Sequence, residues 1–231
     1  MHRDEYLKTL CGLGFPLSFA LVDGLDAGIA SGENHFEVYS EAIFENNKMG
    51  AQIHFCRVPE TNDYIISKYD ALTKAPIYPF EDRKNGFLII RGTGVTFKEA
   101  YNLLQGRPIL RDFLTPSTGS YSAWMDLNFN ERDLSGSYRE VKYSVKGFDL
   151  EAAVKMYPIK ELSDEDSAND LIWSLQRGDR VEVTFQKKRV VEKMFIEVNI
   201  KKKILTIIPP TAIETMKNSK GFKDFDFDNE D

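Results

Sequence analysis

TFKEAYNLLQGR (Thr96–Arg107), YSAWMDLNFN (Tyr121–Asn130) and REVKYSV (Arg139–Val145) decide how this chain folds. In the first, Thr96 and Glu99 stand three apart, the spacing of a capping box in which each side chain satisfies a free amide at a helix start. Phe97, Tyr101 and Leu104 then repeat along one helical side, and Gly106 supplies the stop. In the second, Tyr121, Ala123, Met125, Leu127 and Phe129 alternate with Ser122, Asp126 and Asn128, predicting a strand with one buried and one wet face. The turn Leu134–Gly136 returns the chain through Val141, Tyr143 and Val145 as a hairpin.

The pattern extends outward on both sides. Toward the C-terminus, Asp149 caps a short helix ended by Pro158, and Ser163 with three acidic residues behind it opens a helix running to Gly178. Val181–Phe185, Met194–Val198 and Ile204–Ile208 read as a three-strand meander closed by Pro209 and Pro210. Toward the N-terminus, Arg3–Leu13 and the run Leu17, Leu21, Leu25, Ile29 predict two helices, the second stopped by Gly32. Gly24 and Gly28 weaken that helix unless they admit a close neighbour. Phe36–Phe44, Gln52–Val58 and Asp63–Tyr69 form another meander, and Phe87–Arg91 a short strand.

The fold class is therefore α+β: antiparallel sheets, as β-meanders and a hairpin, with packed helices. The expected organisation is N-terminal helices and meander over 1–72, a connection with a short strand over 73–94, an α+β domain over 95–210, and an acidic, disordered tail over 211–231. Helix, glycine and meander occur at Leu17–Tyr69 and again at Ser163–Ile208, with SGENHFEV (Ser31–Val38) echoing RGDRVEV (Arg177–Val183). Two similar subdomains and a generic helix–meander pairing both account for this.

Composition narrows the function classes. A chain of 231 residues that is 42% hydrophobic buries a real core, and a formal charge of −6 argues against a protein devoted to non-specific phosphate-backbone binding. No apolar run reaches the roughly 18 residues that span a bilayer, and acidic residues in MHRDEYLKTL break the pattern of a signal peptide, so a cytoplasmic protein with no membrane partner is expected. Cys11 and Cys56 read as buried free thiols.

Few residues carry a chemical signal. The G-x-S-x-G, G-x-x-x-x-G-K-[ST] and G-x-G-x-x-G patterns are missing. RGTG (Arg91–Gly94) is a glycine-bearing turn before a helix, to be read as a phosphate cradle or as a simple strand-to-helix turn. His35, His54 and Cys56 fall on paired strands, but a zinc or copper site needs further donors and groups that orient the rings. The sequence reading therefore assigns no metal, no cofactor and no catalytic residue.

Binding residues remain. Trp124 stands on the face lined by Ser122, Asp126 and Asn128, so it is either an exposed aromatic anchor for a protein partner or a side chain under a helix. In the tail, Phe222, Phe225 and Phe227 alternate with acidic residues and form a second candidate protein contact. Arg180–Lys203 hold eight basic against three acidic residues, with Lys187, Lys188 and Arg189 in one turn and Lys201, Lys202 and Lys203 in the next, the only hint of nucleic acid. Successive meander turns lie at opposite ends, about 30 Å apart for nine intervening residues.

Beside TFKEAYNLLQGR stand KYDAL (Lys68–Leu72), AWMDLNF (Ala123–Phe129), KGFDLE (Lys146–Glu151), YPIKEL (Tyr157–Leu162), SLQRGDRVEVTF (Ser174–Phe185) and MFIEVN (Met194–Asn199). In this order the motifs resemble an uncharacterised family encoded in Bacteroidetes bacteria, some members of which are associated with conjugative or other mobile elements. Where relatives tend to have Asn-Pro and an aromatic before the last strand, this chain has Asn199, Ile200 and three lysines. The resemblance carries no catalytic residue across and implies an accessory role near DNA transfer or maintenance. The expected function is a non-enzymatic accessory protein of a mobile element that binds another protein through a sheet surface or edge, with a nucleic-acid-binding accessory factor as the alternative.

Overall fold

Residues 3–73, 82–115, 119–187 and 190–218 are described in the structure, a computed structural model. Two helices open the chain, α1 (Arg3–Gly12) and α2 (Phe19–Ser31). Ser18 caps α2 by accepting from the Leu21 amide, and Gly32 ends it in the left-handed region at φ +66°, as the sequence predicts. A Cβ on Gly28 would fall 2.2 Å from the Phe36 ring, so the bare backbone there is what lets the following strand lie close.

That strand begins a five-stranded antiparallel sheet in sequential order: β1 (His35–Phe44), β2 (Asn47–Arg57), β3 (Tyr64–Thr73), β4 (Arg83–Ile90) and the short β5 (Thr93–Gly94). Glu45 and Asn46, both at positive φ, make the β1–β2 turn and set a register that pairs Glu37 with His54 and His35 with Cys56. Phe36 and Val38 of β1, Met49, Ile53 and Phe55 of β2, Tyr69 of β3 and Phe87 of β4 point inward. They meet Tyr6, Leu10, Leu21 and Leu25 from the two helices in a first apolar core.

The capping box forms as read: Thr96 Oγ1 accepts from the Glu99 amide at 3.3 Å, and the Glu99 carboxylate accepts from the Thr96 amide at 2.8 Å. It starts α3 (Phe97–Leu104), whose Phe97, Tyr101 and Leu104 enter the same core, together with Met125 and Leu127 from further on. This core thus gathers residues from both sides of the 73–94 connection.

A second sheet follows, β6 (Ile109–Thr115), β7 (Gly119–Arg132) and β8 (Tyr138–Ser144), with β7 in the middle. The β7–β8 hairpin is the predicted one. The sequence reading misses β6, because its burial does not alternate: Ile109 is buried, Leu110 and Arg111 are half-buried and Leu114 is exposed.

The expectation of one wet face on β7 is corrected. Ala123, Met125 and Leu127 are buried as predicted, but Trp124 (1% exposed) and Asp126 are buried as well. Trp124 belongs to a second apolar core with Phe148, Leu150 and Val154 of the segment containing α4 (Leu150–Lys155), Leu171 and Leu175 of α5 (Glu165–Gln176), and the last meander. Asp149 caps α4 as read, whereas α5 is capped by Asp164, one residue beyond the predicted Ser163, which ends a single 3-10 turn.

The last meander is β9 (Val181–Lys187), β10 (Val190–Asn199) and β11 (Ile204–Ile208), so helix followed by meander does occur twice, α2 with β1 to β3 and α5 with β9 to β11. The chain then continues into α6 (Pro210–Asn218), where composition predicts a tail from residue 211. A proline at the first helical position loses no helical hydrogen bond, and Ile213 is buried, which holds the helix to the body. Among the described residues no helix is long and apolar enough to cross a membrane.

Candidate functional site

An open groove of about 1150 Å³ lies between the outer side of β4, the β7–β8 turn and strands β6 and β8. Alternation along β4 sends Phe87 and Ile89 into the first core and leaves Leu88 (69% exposed) and Ile90 facing water. Leu114 of β6 stands 88% exposed on the same groove. The floor is fixed by two bonds between the sheets: the Tyr138 amide donates to Asn85 Oδ1 at 2.6 Å and the Gly86 amide to Ser137 Oγ at 3.1 Å. A Cβ on Gly86 would lie 2.8 Å from Asp70 Oδ1, so any larger residue there displaces the Asp70 carboxylate. Seven Lys or Arg side chains against five Asp or Glu line the groove, a local basic surplus on a chain of net charge −6. Lys142 holds its ammonium 3.9 Å from the centre of the Phe113 ring.

The residues singled out from sequence are not brought together. Trp124 is no exposed anchor, because Phe148 and the second core cover it. Lys187 ends β9 opposite Val190 at the start of β10, while Lys201, Lys202 and Lys203 form the turn at the far end of that ten-residue strand, about 30 Å away; Lys188 and Arg189 lie outside the described residues. Lys201 is already engaged: its Nζ lies 3.0 Å from Oδ2 of the buried Asp126, whose Oδ1 accepts from the Leu127 amide. Phe222, Phe225 and Phe227 lie outside the described residues.

RGTG is a strand hairpin, not a phosphate cradle. It links β4 to β5, and the amides at the start of α3 are already engaged, Phe97 with the Leu13 carbonyl at 2.8 Å and Glu99 with Thr96. Both cysteines are free thiols, but Cys11 is exposed and Cys56 half-buried, which corrects the expectation of two buried ones.

One cluster has the chemistry of a metal-ligating set. On the outer face of the first sheet, His54 Nδ1 lies 2.9 Å from Glu37 Oε1 and 3.3 Å from His35 Nε2. Its Nε2 lies 2.8 Å from Asp70 Oδ2, which also bonds Lys68 Nζ at 3.0 Å. Burial pushes the Asp70 carboxyl up, and its hydrogen bonds to Lys68 and His54 outweigh this and hold it below the usual range. Cys56 stands apart, its Sγ 3.5 Å from Ser67 Oγ. Sequence reading found the two histidines and missed Glu37, although the β1–β2 turn at Glu45 and Asn46 places it opposite His54.

Comparison of the chain with protein-family models, with curated proteins and with solved structures finds no match.

Proposed function

We propose that this chain is a non-enzymatic, cytoplasmic accessory protein of a mobile element that works by binding another protein, and that the groove beside β4 receives the partner. The observation that carries this reading is the convergence of Leu88, Ile90 and Leu114, all exposed, on one concave basic surface. Burial of such a side chain contributes about 1.5 to 3 kcal/mol, so three supply enough to anchor a contact. The basic surplus favours a partner segment that carries acidic residues beside its apolar ones. The mobile-element setting rests on the ordered motif resemblance alone.

The test is a photo-crosslinking side chain placed at Leu88 or Leu114 in the native host, with Met156, exposed on α4's C-terminal side, as control. One defined protein adduct from both groove positions and none from Met156 supports the reading. An adduct equal at all three positions refutes it. Nuclease treatment leaves the adduct unchanged if the partner is a protein, and abolishes it if the groove binds nucleic acid. The groove is preferred over the lysine turns because Lys201 already pairs with the buried Asp126.

A further inference from the structure

We propose that the outer face of the β1–β2–β3 meander holds a divalent metal ion of the zinc type, with His35 Nε2, His54 Nδ1 and Glu37 Oε1 as its protein ligands. The three atoms lie 2.9, 3.3 and 3.8 Å from one another. An ion with tetrahedral bonds of about 2.0 to 2.1 Å needs ligand separations of roughly 3.3 Å, so these donors reach it with shifts of a few tenths of an ångström. Two of the three, His35 and Glu37, are exposed and free to make them.

The hydrogen-bond pattern points the same way. Asp70, as a carboxylate, only accepts, so His54 Nε2 donates to it and Nδ1 is the ring nitrogen that would bind an ion. Nδ1 faces a second carboxylate, Glu37, and the ring nitrogen of His35, so three potential ligand atoms converge on one point. The surroundings are those of a ligating histidine: Asp70 orients the His54 ring, Lys68 holds Asp70, and Gln52 Nε2 donates to Glu37 Oε2, leaving Oε1 for the ion. Two imidazoles and one carboxylate suit zinc over calcium or magnesium, and the fourth position opens to solvent. The site is separate from the partner-binding reading of the groove and stands or falls without it.

The experiment uses the tag-free full chain, stripped with chelator and titrated with Zn²⁺ by calorimetry and with Co²⁺ by visible absorption. One ion per chain, with the intense d–d bands of a tetrahedral cobalt site, is expected. His35→Ala and Glu37→Gln, both at exposed positions that the fold does not need, should each weaken binding at least tenfold. Asp70→Asn should weaken it about tenfold to a hundredfold, and Cys56→Ser should leave it unchanged. The absence of stoichiometric binding, or binding that survives His35→Ala and Glu37→Gln intact, overturns the proposal. So does dependence on Cys56 in place of Glu37.

Discussion

Arg107 and Glu45 form a two-pronged ion pair, with Nη2 to Oε1 at 2.8 Å and Nη1 to Oε2 at 3.0 Å, in which Arg107 is buried (2% exposed) and Glu45 reaches it from the exposed β1–β2 turn. The guanidinium also donates to Asn102 Oδ1 at 2.6 Å, and Asn102 Nδ2 donates on to the Arg177 carbonyl and to Asp179. The β1–β2 turn, the end of α3 and the α5–β9 turn are thereby joined through polar side chains. Removing Glu45 leaves the buried Arg107 charge uncompensated, whereas removing Arg107 leaves a carboxylate that water can reach. Glu45→Gln should therefore lower stability by up to about 3 kcal/mol, and a double-mutant cycle with Arg107→Ala, read by chemical denaturation, should show coupling.

The same pair predicts a response to acid. Burial pushes the Glu45 carboxyl up, but Arg107, with smaller help from Lys98 and Arg180, outweighs it and holds the group below its ordinary 4.5. A carboxyl depressed in the folded state gives stability that is present in full above its unfolded value and is lost as pH falls through the folded one. The stability gap between the native chain and Glu45→Gln should be widest near neutrality and narrow below about pH 4.5. A gap that stays constant down to pH 3 would refute the assignment.

Gly24 and Gly28, one turn apart on α2, should behave oppositely when changed to Ala. Each gains about 1 kcal/mol of helix propensity. At Gly24 the new Cβ meets Val38 Cγ1 at 3.4 Å, an ordinary contact, and at Gly28 it runs into the Phe36 ring. Gly24→Ala should be neutral or mildly stabilising, and Gly28→Ala destabilising by about 1 to 3 kcal/mol, as thermal denaturation will show.

Trp124→Ala should cost about 3 to 5 kcal/mol, and Trp124→Phe distinctly less, because the loss is one of core volume. Loss of a partner in Trp124→Ala would thus report on folding. Fluorescence of the native chain should show one shielded indole, Trp124, and one accessible to quencher, Trp173, which is 57% exposed.

Local signals in the sequence sufficed for several local features, though not for α6, for β6 or for the cap of α5. The Thr96–Glu99 box, the Asp149 cap, the Gly32 stop and the order of both meanders follow from neighbours a few residues apart. Asp126 shows where such reading ends: its alternation with apolar residues marks it as wet, and only Lys201, distant in sequence, together with the Leu127 amide makes its burial tolerable. The His35, Glu37 and His54 cluster was half legible, since two histidines stood out while Glu37 joined them through strand register. The groove had no local signature, because it arises from how β4 and the β6–β8 sheet are placed against each other.

Strand β7 has Trp124 in one apolar core and Met125 and Leu127 in the other. Dissolving one core strips a face from the strand that the other core needs, which predicts that the two cores unfold together and that the amides of Trp124 to Leu127 exchange with solvent only when both open. On the proposed reading of the groove as a partner site, this would confine motion on binding to the rim and spare the wall between the cores.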